Sequence, residues 1–413
     1  MSAGYLLGTR CLHWDFDVAL VADRKTLCDL VELYFIINGS MASVNVSLDT
    51  LKNFVQAVSK SYRENRFHNW RHAVFVAHYT YRLLAEASPL ASSEEARPPS
   101  CPSNLPPLIQ FALLVSALVH DSDHPGNTNE YEMLTQSELA KRHGPGSVLE
   151  KHHLEVATRL MQLPGCDILE SFTESERRLF MLVMQESLMS TDMAVHAALT
   201  AEIHRWADAS SSSSSSSSSC DANAATATAP SHLDISSLDY QLFMCRALLH
   251  AADLSSCVRQ FYVASAWAGR IQDEFEAQKK KLALVGIQTS TLGHIAHPLS
   301  GVDHIDGEVG FVTHVARPMW VALKRLWPTL NHLVAQIDDN LLEYAELRRK
   351  EILRVNVLGA SQLPPTLVLR QPSFSHAFVP VTTPIEEGGE ENDNNWGQLI
   401  DGEGEGEEWG AGI

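Results

Sequence analysis

Apolar residues recur every three or four positions along most of this 413-residue chain. One apolar stripe runs from Leu48 to Val58 and another from Leu323 to Ile337. That spacing brings the apolar side chains onto one face of an α-helix, whereas a half-buried strand would alternate with a period of two. The sequence contains neither a series of alternating segments nor an internal repeat. The pattern therefore predicts an all-α protein, built as one large, bundle-like domain of many helices.

The composition limits what such a helical chain can do. With 45% hydrophobic and 20% charged residues, the chain is typical of soluble globular proteins. Its net charge of −19 repels nucleic-acid phosphates and anionic lipids, so we expect no nucleic-acid partner. The longest uncharged apolar run, residues 108–119, is too short to cross a bilayer, so we expect no membrane span. The seven cysteines include no CxxC pair, which predicts reduced thiols and a cytoplasmic location.

Three segments interrupt the helical pattern. Residues 88–107 are rich in Ser, Pro and Glu, and residues 208–232 contain ten consecutive serines. Residues 384–413 carry ten acidic side chains and no Lys or Arg. Such segments bury too little apolar surface to offset the entropy of ordering them. We therefore predict one domain over residues 12–358 with two flexible inserts, followed over residues 359–413 by an irregular segment and a disordered acidic tail.

Histidine and aspartate cluster at three places. His68 and His72 are four residues apart, which on a helix places both on one face. His120 and Asp121 follow an apolar run and precede a Pro-Gly pair, so a buried helix would end on a polar pair that needs a partner. Asp253 lies three residues after another histidine. Imidazole and carboxylate together are suitable ligands for zinc or a similar divalent ion. Some histidines outside these clusters are expected to be ordinary hydrogen-bonded residues, namely His13, His78, His143, His204 and His332.

The clusters belong to a longer series of motifs: HNWRHA at residues 68–73, HDSDHPG at 120–126, LEKHH at 149–153, TDM at 191–193, ADLS at 252–255 and VGF at 309–311. In this order, and with similar sequence around them over residues 14–352, they resemble the catalytic domain of class I cyclic nucleotide phosphodiesterases. Several motifs in sequence are far more specific than one alone. The resemblance implies a phosphodiesterase-like catalytic domain that hydrolyses a 3′,5′-cyclic nucleotide, cGMP or cAMP, to the 5′-monophosphate.

The resemblance also implies a two-metal site in a deep central pocket. A zinc ion would be bound by four side chains, namely His72, His120, Asp121 and Asp253. Asp121 would bridge to a second divalent ion, usually Mg²⁺ or else Mn²⁺, which is held mostly through water molecules. The residues that match the holders of those waters are His124, Glu150 and Thr191, and such partners orient ligands and tune the bound water. Metal ions lower the pKa of bound water from about 15.7 toward about 7, which makes hydroxide available at neutral pH.

His68 matches the residue that protonates the leaving ribose 3′ oxygen in the family. That oxygen is a poor leaving group unless it receives a proton, so a general acid must stand opposite the nucleophile. A carboxylate would keep the imidazole of His68 protonated, and Glu150 is the candidate for this partner.

The base-binding pocket departs from the family pattern. Phe311 matches the ring that stacks on the purine, and Ile271 matches the opposite side of the clamp. Glu308 stands where the family has a glutamine, and Ser256 where an asparagine is common. An ionised carboxylate only accepts hydrogen bonds, so Glu308 would repel adenine N1 and favour the N1–H and N2–H donors of guanine. The sequence therefore favours cGMP.

Two other functions remain open on the sequence. One is an HD-type phosphohydrolase acting on another nucleotide, which also uses His, His-Asp and Asp ligands. The other is a module that binds cyclic nucleotide without turnover, suggested by Glu308 and Ser256. We expect no regulatory domain, because about 60 residues precede His68 and the resemblance uses most of them. The sequence leaves the oligomeric state unknown.

Overall fold

The computed structural model describes residues 10–86, 105–213, 234, 236–287 and 301–358. Over these ranges the chain forms helices and short turns but no β-strand, so the prediction of an all-α protein is confirmed. The α-helices are α1 Arg24–Asn38, α2 Ser40–Ser43, α3 Leu48–Ser61, α4 Trp70–Glu86, α5 Pro107–Val119, α6 Asn129–Thr135, α7 Glu138–His143, α8 Val148–Met161, α9 Glu174–Met189, α10 His196–Ser213, α11 Leu238–Asp253, α12 Phe261–Leu284, α13 Gly301–Phe311, α14 Arg317–Leu326 and α15 Asn331–Leu358. A π-helical turn, Val312–Ala316, joins α13 to α14.

Four helices form the centre of the domain. Helix α5 packs against α4 and α9, and α11 packs against the same two helices. Their contacts belong to one continuous hydrophobic core that includes Phe75, Phe111, Phe180 and Phe243. The ends of three of these helices carry the ligand-type residues singled out in the sequence.

Helix α5 is mostly apolar, and it is a buried helix as the sequence indicated. Its residues from Ile109 to Val119 are all buried, because neighbouring helices cover it on all faces. Pro107 occupies the first turn, where the missing N–H costs nothing. The helix ends with His120 at the C-cap position. A buried helix therefore delivers His120 and Asp121 at its C-terminal end.

Side-chain caps fix where several of the helices begin. The hydroxyl of Ser237 accepts a hydrogen bond from the backbone N–H of Tyr240 at the start of α11. Thr173 and Glu176 form a reciprocal capping box at the start of α9. These caps satisfy backbone donors that have no partner within the helix.

A few residues assigned to the two predicted inserts lie in the described part of the chain. Asp208–Ser213 was assigned to an insert, but these residues form the last turns of α10, where Asp208 pairs with Arg325. Leu105 was also assigned to an insert, yet its side chain is buried in the core. Residues 88–104, 214–233 and 359–413 lie outside the described residues, and with them the predictions about flexible segments and the acidic tail.

The chain divides into two units, Met1–Gln371 and Pro372–Ile413, and every described residue belongs to the first. Among the cysteines in the described ranges, Cys11, Cys28, Cys166, Cys245 and Cys257 are free thiols, as expected. Of the helices that the structure describes, none combines the length and apolar character needed to span a bilayer.

Candidate metal centre and active site

Four ligand-type side chains converge from three helix ends. His72 lies in the first turn of α4, His120 and Asp121 follow α5, and Asp253 is the last residue of α11. Helices α4 and α5 pack side by side, and the start of α4 lies next to the end of α5. The structure therefore brings together the residues that the sequence predicted as zinc ligands.

The donor atoms of these side chains have the separations of a coordination shell. His72 Nε2 lies 3.0 Å from Asp253 Oδ1 and 3.3 Å from His120 Nε2. Asp121 Oδ2 lies 3.1 Å from His120 Nε2 and 3.4 Å from His72 Nε2. Ligands about 2.1 Å from a tetrahedral ion lie roughly 3.4 Å from one another. The donor set thus fits a divalent metal ion of zinc's size.

The surroundings of these atoms also fit a metal ion. His120 Nδ1 donates to the carbonyl oxygen of Ala117 over 2.9 Å, so Nε2 is the nitrogen that faces the cluster and would bind an ion once it is deprotonated. Asp121 Oδ2 is buried and has no hydrogen-bond partner within the described ranges. Burial alone would raise the pKa of Asp121 and Asp253, but the adjacent imidazoles hold the pKa of both well below the ordinary value. Both carboxylates are therefore ionised at neutral pH, as metal ligands must be.

His68 is held by Glu274 of helix α12, and not by Glu150. The Nδ1 of His68 bonds to Glu274 Oε1, while Glu274 Oε2 accepts the backbone N–H groups of Phe67 at 2.8 Å and His68 at 3.2 Å. Burial would lower the pKa of His68, but Asp121 and Glu274 together raise it above the ordinary value. The predicted partner, Glu150, is bonded instead to Asn129 Nδ2, at 3.0 and 3.2 Å.

Asn65 fixes the segment that carries His68 to the segment that carries His124. Its Nδ2 donates to the carbonyl oxygens of His68 at 2.9 Å and His124 at 2.7 Å. Gly126 has a φ of +71°, and a Cβ there would lie 3.0 Å from Asn65 Oδ1. Glycine is therefore needed at position 126 both for the backbone conformation and for this close approach. The rings of His68 and His124 stack with centroids 3.9 Å apart.

A cavity of about 1060 Å³ lies over this cluster. The three residues predicted to hold metal-bound waters, namely His124, Glu150 and Thr191, all line it together with Asp121. Burial raises the pKa of Glu150 to about 7. His153 lines the cavity too, and its Nε2 lies 3.7 Å from Asp121 Oδ1.

The four residues assigned to the base pocket line the same cavity, namely Ile271, Phe311, Glu308 and Ser256. Ile271 and Phe311 are only partly buried, and Phe311 also packs against the hydrophobic core. Glu308 lies on helix α13, one turn before Phe311. Burial raises the pKa of Glu308 to about 7, so its carboxyl group is close to half ionised at neutral pH.

Sequence reasoning missed Glu274 and His153. Glu274 is three residues after Ile271 on α12, which places it on the same helix face. His153 is likewise three residues after Glu150 on α8. In both cases the three-residue spacing from a residue already assigned to the site could have indicated a side chain on the same helix face.

The fold and donor set define a helical protein with a divalent-metal centre. The model of the family described as 3′5′-cyclic nucleotide phosphodiesterase matches residues 67–337, and the chain belongs to that family. The phosphodiesterase domain of the RhoPDE fusion protein from the choanoflagellate Salpingoeca rosetta has a similar structure, with a TM-score of 0.71 and 27% identity. That similarity covers 85% of this chain and 100% of the other.

Two of the curated proteins that are similar to this chain are named as cyclic nucleotide phosphodiesterases. The high affinity cGMP-specific 3′,5′-cyclic phosphodiesterase 9A of Drosophila melanogaster is 28% identical over 318 residues, which cover 76% of this chain. The probable 3′,5′-cyclic-AMP phosphodiesterase pde-4 of Caenorhabditis elegans is 26% identical over 295 residues, which cover 70%. The matches span only 18% and 39% of the length of these relatives.

Proposed function

We propose that this chain hydrolyses a 3′,5′-cyclic nucleotide to the 5′-monophosphate. The observation that carries the proposal is the arrangement of His68, which lines the same cavity as Asp121 and Asp253 of the four-ligand cluster and is hydrogen-bonded to Glu274. A proton donor and a metal centre facing one cavity are the two components that opening a cyclic phosphodiester requires. Membership of the phosphodiesterase family supports the same reaction.

We assign zinc to the cluster of His72, His120, Asp121 and Asp253, because two imidazoles and two carboxylates suit this ion. We assign a second, hydrated ion, Mg²⁺ or Mn²⁺, to the side of Asp121 that faces the cavity. Glu150 and Thr191 would orient its waters, and Mg²⁺ commonly retains several waters. When bound, the ions supply Lewis acidity toward the phosphate and lower the pKa of water.

The protein's own part in the reaction is the transfer of a proton. With Nδ1 of His68 bonded to Glu274, the proton on Nε2 is the one available to the cavity. Water adds its oxygen to phosphorus and releases one proton to solvent, and the bond from phosphorus to the 3′ oxygen breaks. The 3′ oxygen takes the proton from His68 Nε2, and the imidazole then regains a proton from solvent. Glu274 acts as a positioning residue, since it fixes the ring and stabilises the positive charge.

The purine would stack between Ile271 and Phe311, with Glu308 and Ser256 at its edge. An ionised Glu308 offers acceptors that match guanine N1–H and N2–H, so we propose cGMP as the preferred substrate. The relatives include proteins named for each nucleotide, and the relative named as cGMP-specific agrees with this choice.

We further propose that residues 12–358 form the catalytic domain and that it acts in the cytoplasm, where reduced cysteines are stable.

The test is turnover of cGMP and cAMP by the purified chain, with and without added Mg²⁺ or Mn²⁺. Asp253→Ala should lose both zinc and activity, because a ligand of the ion is removed. His68→Ala should keep its zinc but lower kcat by about 10²- to 10⁴-fold, as is usual for a lost general acid. Wild-type protein that holds its metals and hydrolyses neither nucleotide would refute the proposal.

A further inference from the structure

A second cluster of ligand-type side chains lies where helix α7 meets helix α8. His143 is the last residue of α7, and His152 and Glu155 are three residues apart on one face of α8. One donor atom from each of the three lies within 4.8 Å of the others. None of these residues lines the cavity described above.

The imidazole of His152 is arranged as metal-binding histidines are. Its Nε2 lies 2.9 Å from Asp123 Oδ2, so this nitrogen donates its proton to the carboxylate. The remaining nitrogen, Nδ1, is buried and has no hydrogen-bond partner in the described part of the chain. Because the residue is only 3% exposed, bulk water does not reach this nitrogen either. A histidine that gives one N–H to a carboxylate and presents its other lone pair is the usual arrangement beside a bound zinc ion.

His143 shows the same lack of a partner. Its side chain is 10% exposed, and its Nε2 is buried with no hydrogen bond to the residues that the structure describes. Glu155 Oε2 lies 3.3 Å from this nitrogen, but not with the geometry of a hydrogen bond. Burial lowers the pKa of His143, so the imidazole is neutral at pH 7 and has a lone pair to offer. Two buried nitrogens without partners in one cluster call for a ligand that accepts both lone pairs.

Nearby contacts hold the cluster in place. Lys151 Nζ donates to the carbonyl oxygen of His143 over 3.1 Å, which fixes the end of α7 against α8. Arg142 and Arg159 both contact Glu155 Oε1, at 3.3 and 3.4 Å, and so leave Oε2 directed toward His143.

We propose that His143, His152 and Glu155 bind a zinc ion, or a similar late first-row divalent ion, separately from the catalytic metals. Two imidazole nitrogens and one carboxylate oxygen provide three protein ligands, and a water molecule completes a tetrahedral shell. Coordination would draw the donor atoms to roughly 3.4 Å from one another, which the rotatable side chain of Glu155 allows. This assignment replaces the expectation that His143 is an ordinary hydrogen-bonded histidine.

The test uses the full chain, freed of metal with a chelator and titrated with Zn²⁺ against a chromophoric competitor. Wild-type protein should bind one more equivalent of Zn²⁺ than His143→Ala, and Glu155→Gln should bind this equivalent about tenfold or more weakly. His332→Ala, which removes an exposed histidine elsewhere, should match the wild type. Equal stoichiometry and affinity in wild type and His143→Ala would overturn the proposal.

A second measurement separates this site from the catalytic one. In an Asp253→Ala background, Zn²⁺ should raise the Tm, and the added His143→Ala substitution should abolish that rise. The single His143→Ala variant should still bind Zn²⁺ at the catalytic cluster, whatever the substrate of the enzyme proves to be. A Zn²⁺-induced rise in Tm that persists in the double variant would count against a site at His143.

Discussion

Glu274 is a buried carboxylate that makes three contacts to the segment carrying His68, the proposed general acid. It bonds the ring of His68 and the backbone N–H groups of Phe67 and His68, so it sets both the position and the charge of the imidazole. We expect Glu274→Ala to lower kcat by about tenfold or more, and by less than the loss of His68 itself. Steady-state kinetics with parallel metal analysis would measure this effect.

The control for that variant is Asp273→Ala, which removes an exposed carboxylate from the preceding position of helix α12. It should behave as the wild type does. If Glu274→Ala lost zinc as well as activity, Glu274 would be supporting the metal cluster, and the role assigned to it would be wrong.

Glu308 should make base selectivity depend on pH. Burial raises its pKa to about 7, and the two buried groups that feel its charge, Cys257 and Tyr344, stay neutral because their own pKa values are also raised. Below pH 7 the protonated carboxyl can donate to adenine N1, whereas above pH 7 it only accepts. The ratio of kcat/KM for cGMP to that for cAMP should therefore rise between about pH 6 and about pH 8. A misplaced acceptor costs about 1 to 3 kcal/mol, so the ratio should reach roughly tenfold.

Glu308→Gln is the matched variant for this experiment, because an amide donates and accepts at every pH in that range. Its selectivity should be smaller and independent of pH. A wild-type ratio that stays constant with pH, or a pH dependence that survives in the Gln variant, would show that Glu308 does not contact the base.

The sequence predicted the grouping of the proposed metal ligands better than the partner of His68, for a physical reason. His72, His120, Asp121 and Asp253 are defined by their own motifs, and the structure brings all four together. Glu274 lies 206 residues from His68, in a helix whose docking depends on the whole fold. Glu150 was an equally suitable carboxylate by residue type, and its side chain is held elsewhere by Asn129. Residue type and spacing could not decide between these two.

At the scale of the helix, the burial of α5 fixes the position of His120 and Asp121 at its C-terminal end. Leu113 near the middle of the helix is fully buried, and the same helix ends at His120. Leu113→Ala should cost about 2 to 5 kcal/mol in the free energy of unfolding, because it leaves a cavity at the centre of the core. Denaturant unfolding monitored by circular dichroism would measure this loss.

Leu182→Ala on helix α9 is the control for the core substitution, since Leu182 is 37% exposed. It should change the free energy of unfolding by no more than about 0.5 kcal/mol. Similar losses for the two variants would mean that α5 is not packed as described.

The sequence predicted α5 well because its apolar run is continuous, whereas the last turns of α10 were missed because serine-rich sequence favours loops.

For the molecule as a whole, metal binding and folding should be linked. The four proposed ligands come from α4, α5 and α11, so an ion bound there would stabilise only the state in which all three helices are docked. An ion present at a thousandfold over its Kd adds about 4 kcal/mol to stability. Chelation should therefore lower the Tm of the wild type by several degrees, measured by differential scanning calorimetry.

The Asp253→Ala variant is the control for the chelation experiment, because it lacks one of the proposed metal ligands before any chelator is added. Its Tm should fall less on chelation than that of the wild type. An equal fall would place the stabilising ion elsewhere in the protein, for instance at His143 and His152.

The ligands of the catalytic cluster are also spread along the order of synthesis. His72 is made first of the four, His120 and Asp121 follow, and Asp253 comes more than a hundred residues later. A ribosome that has not yet extended the chain past α11 holds a protein with an incomplete metal shell. The growing chain can therefore bind a divalent ion with all four proposed ligands only after α11 has been translated, so the supply of that ion would act on the assembled domain and not on its early folding.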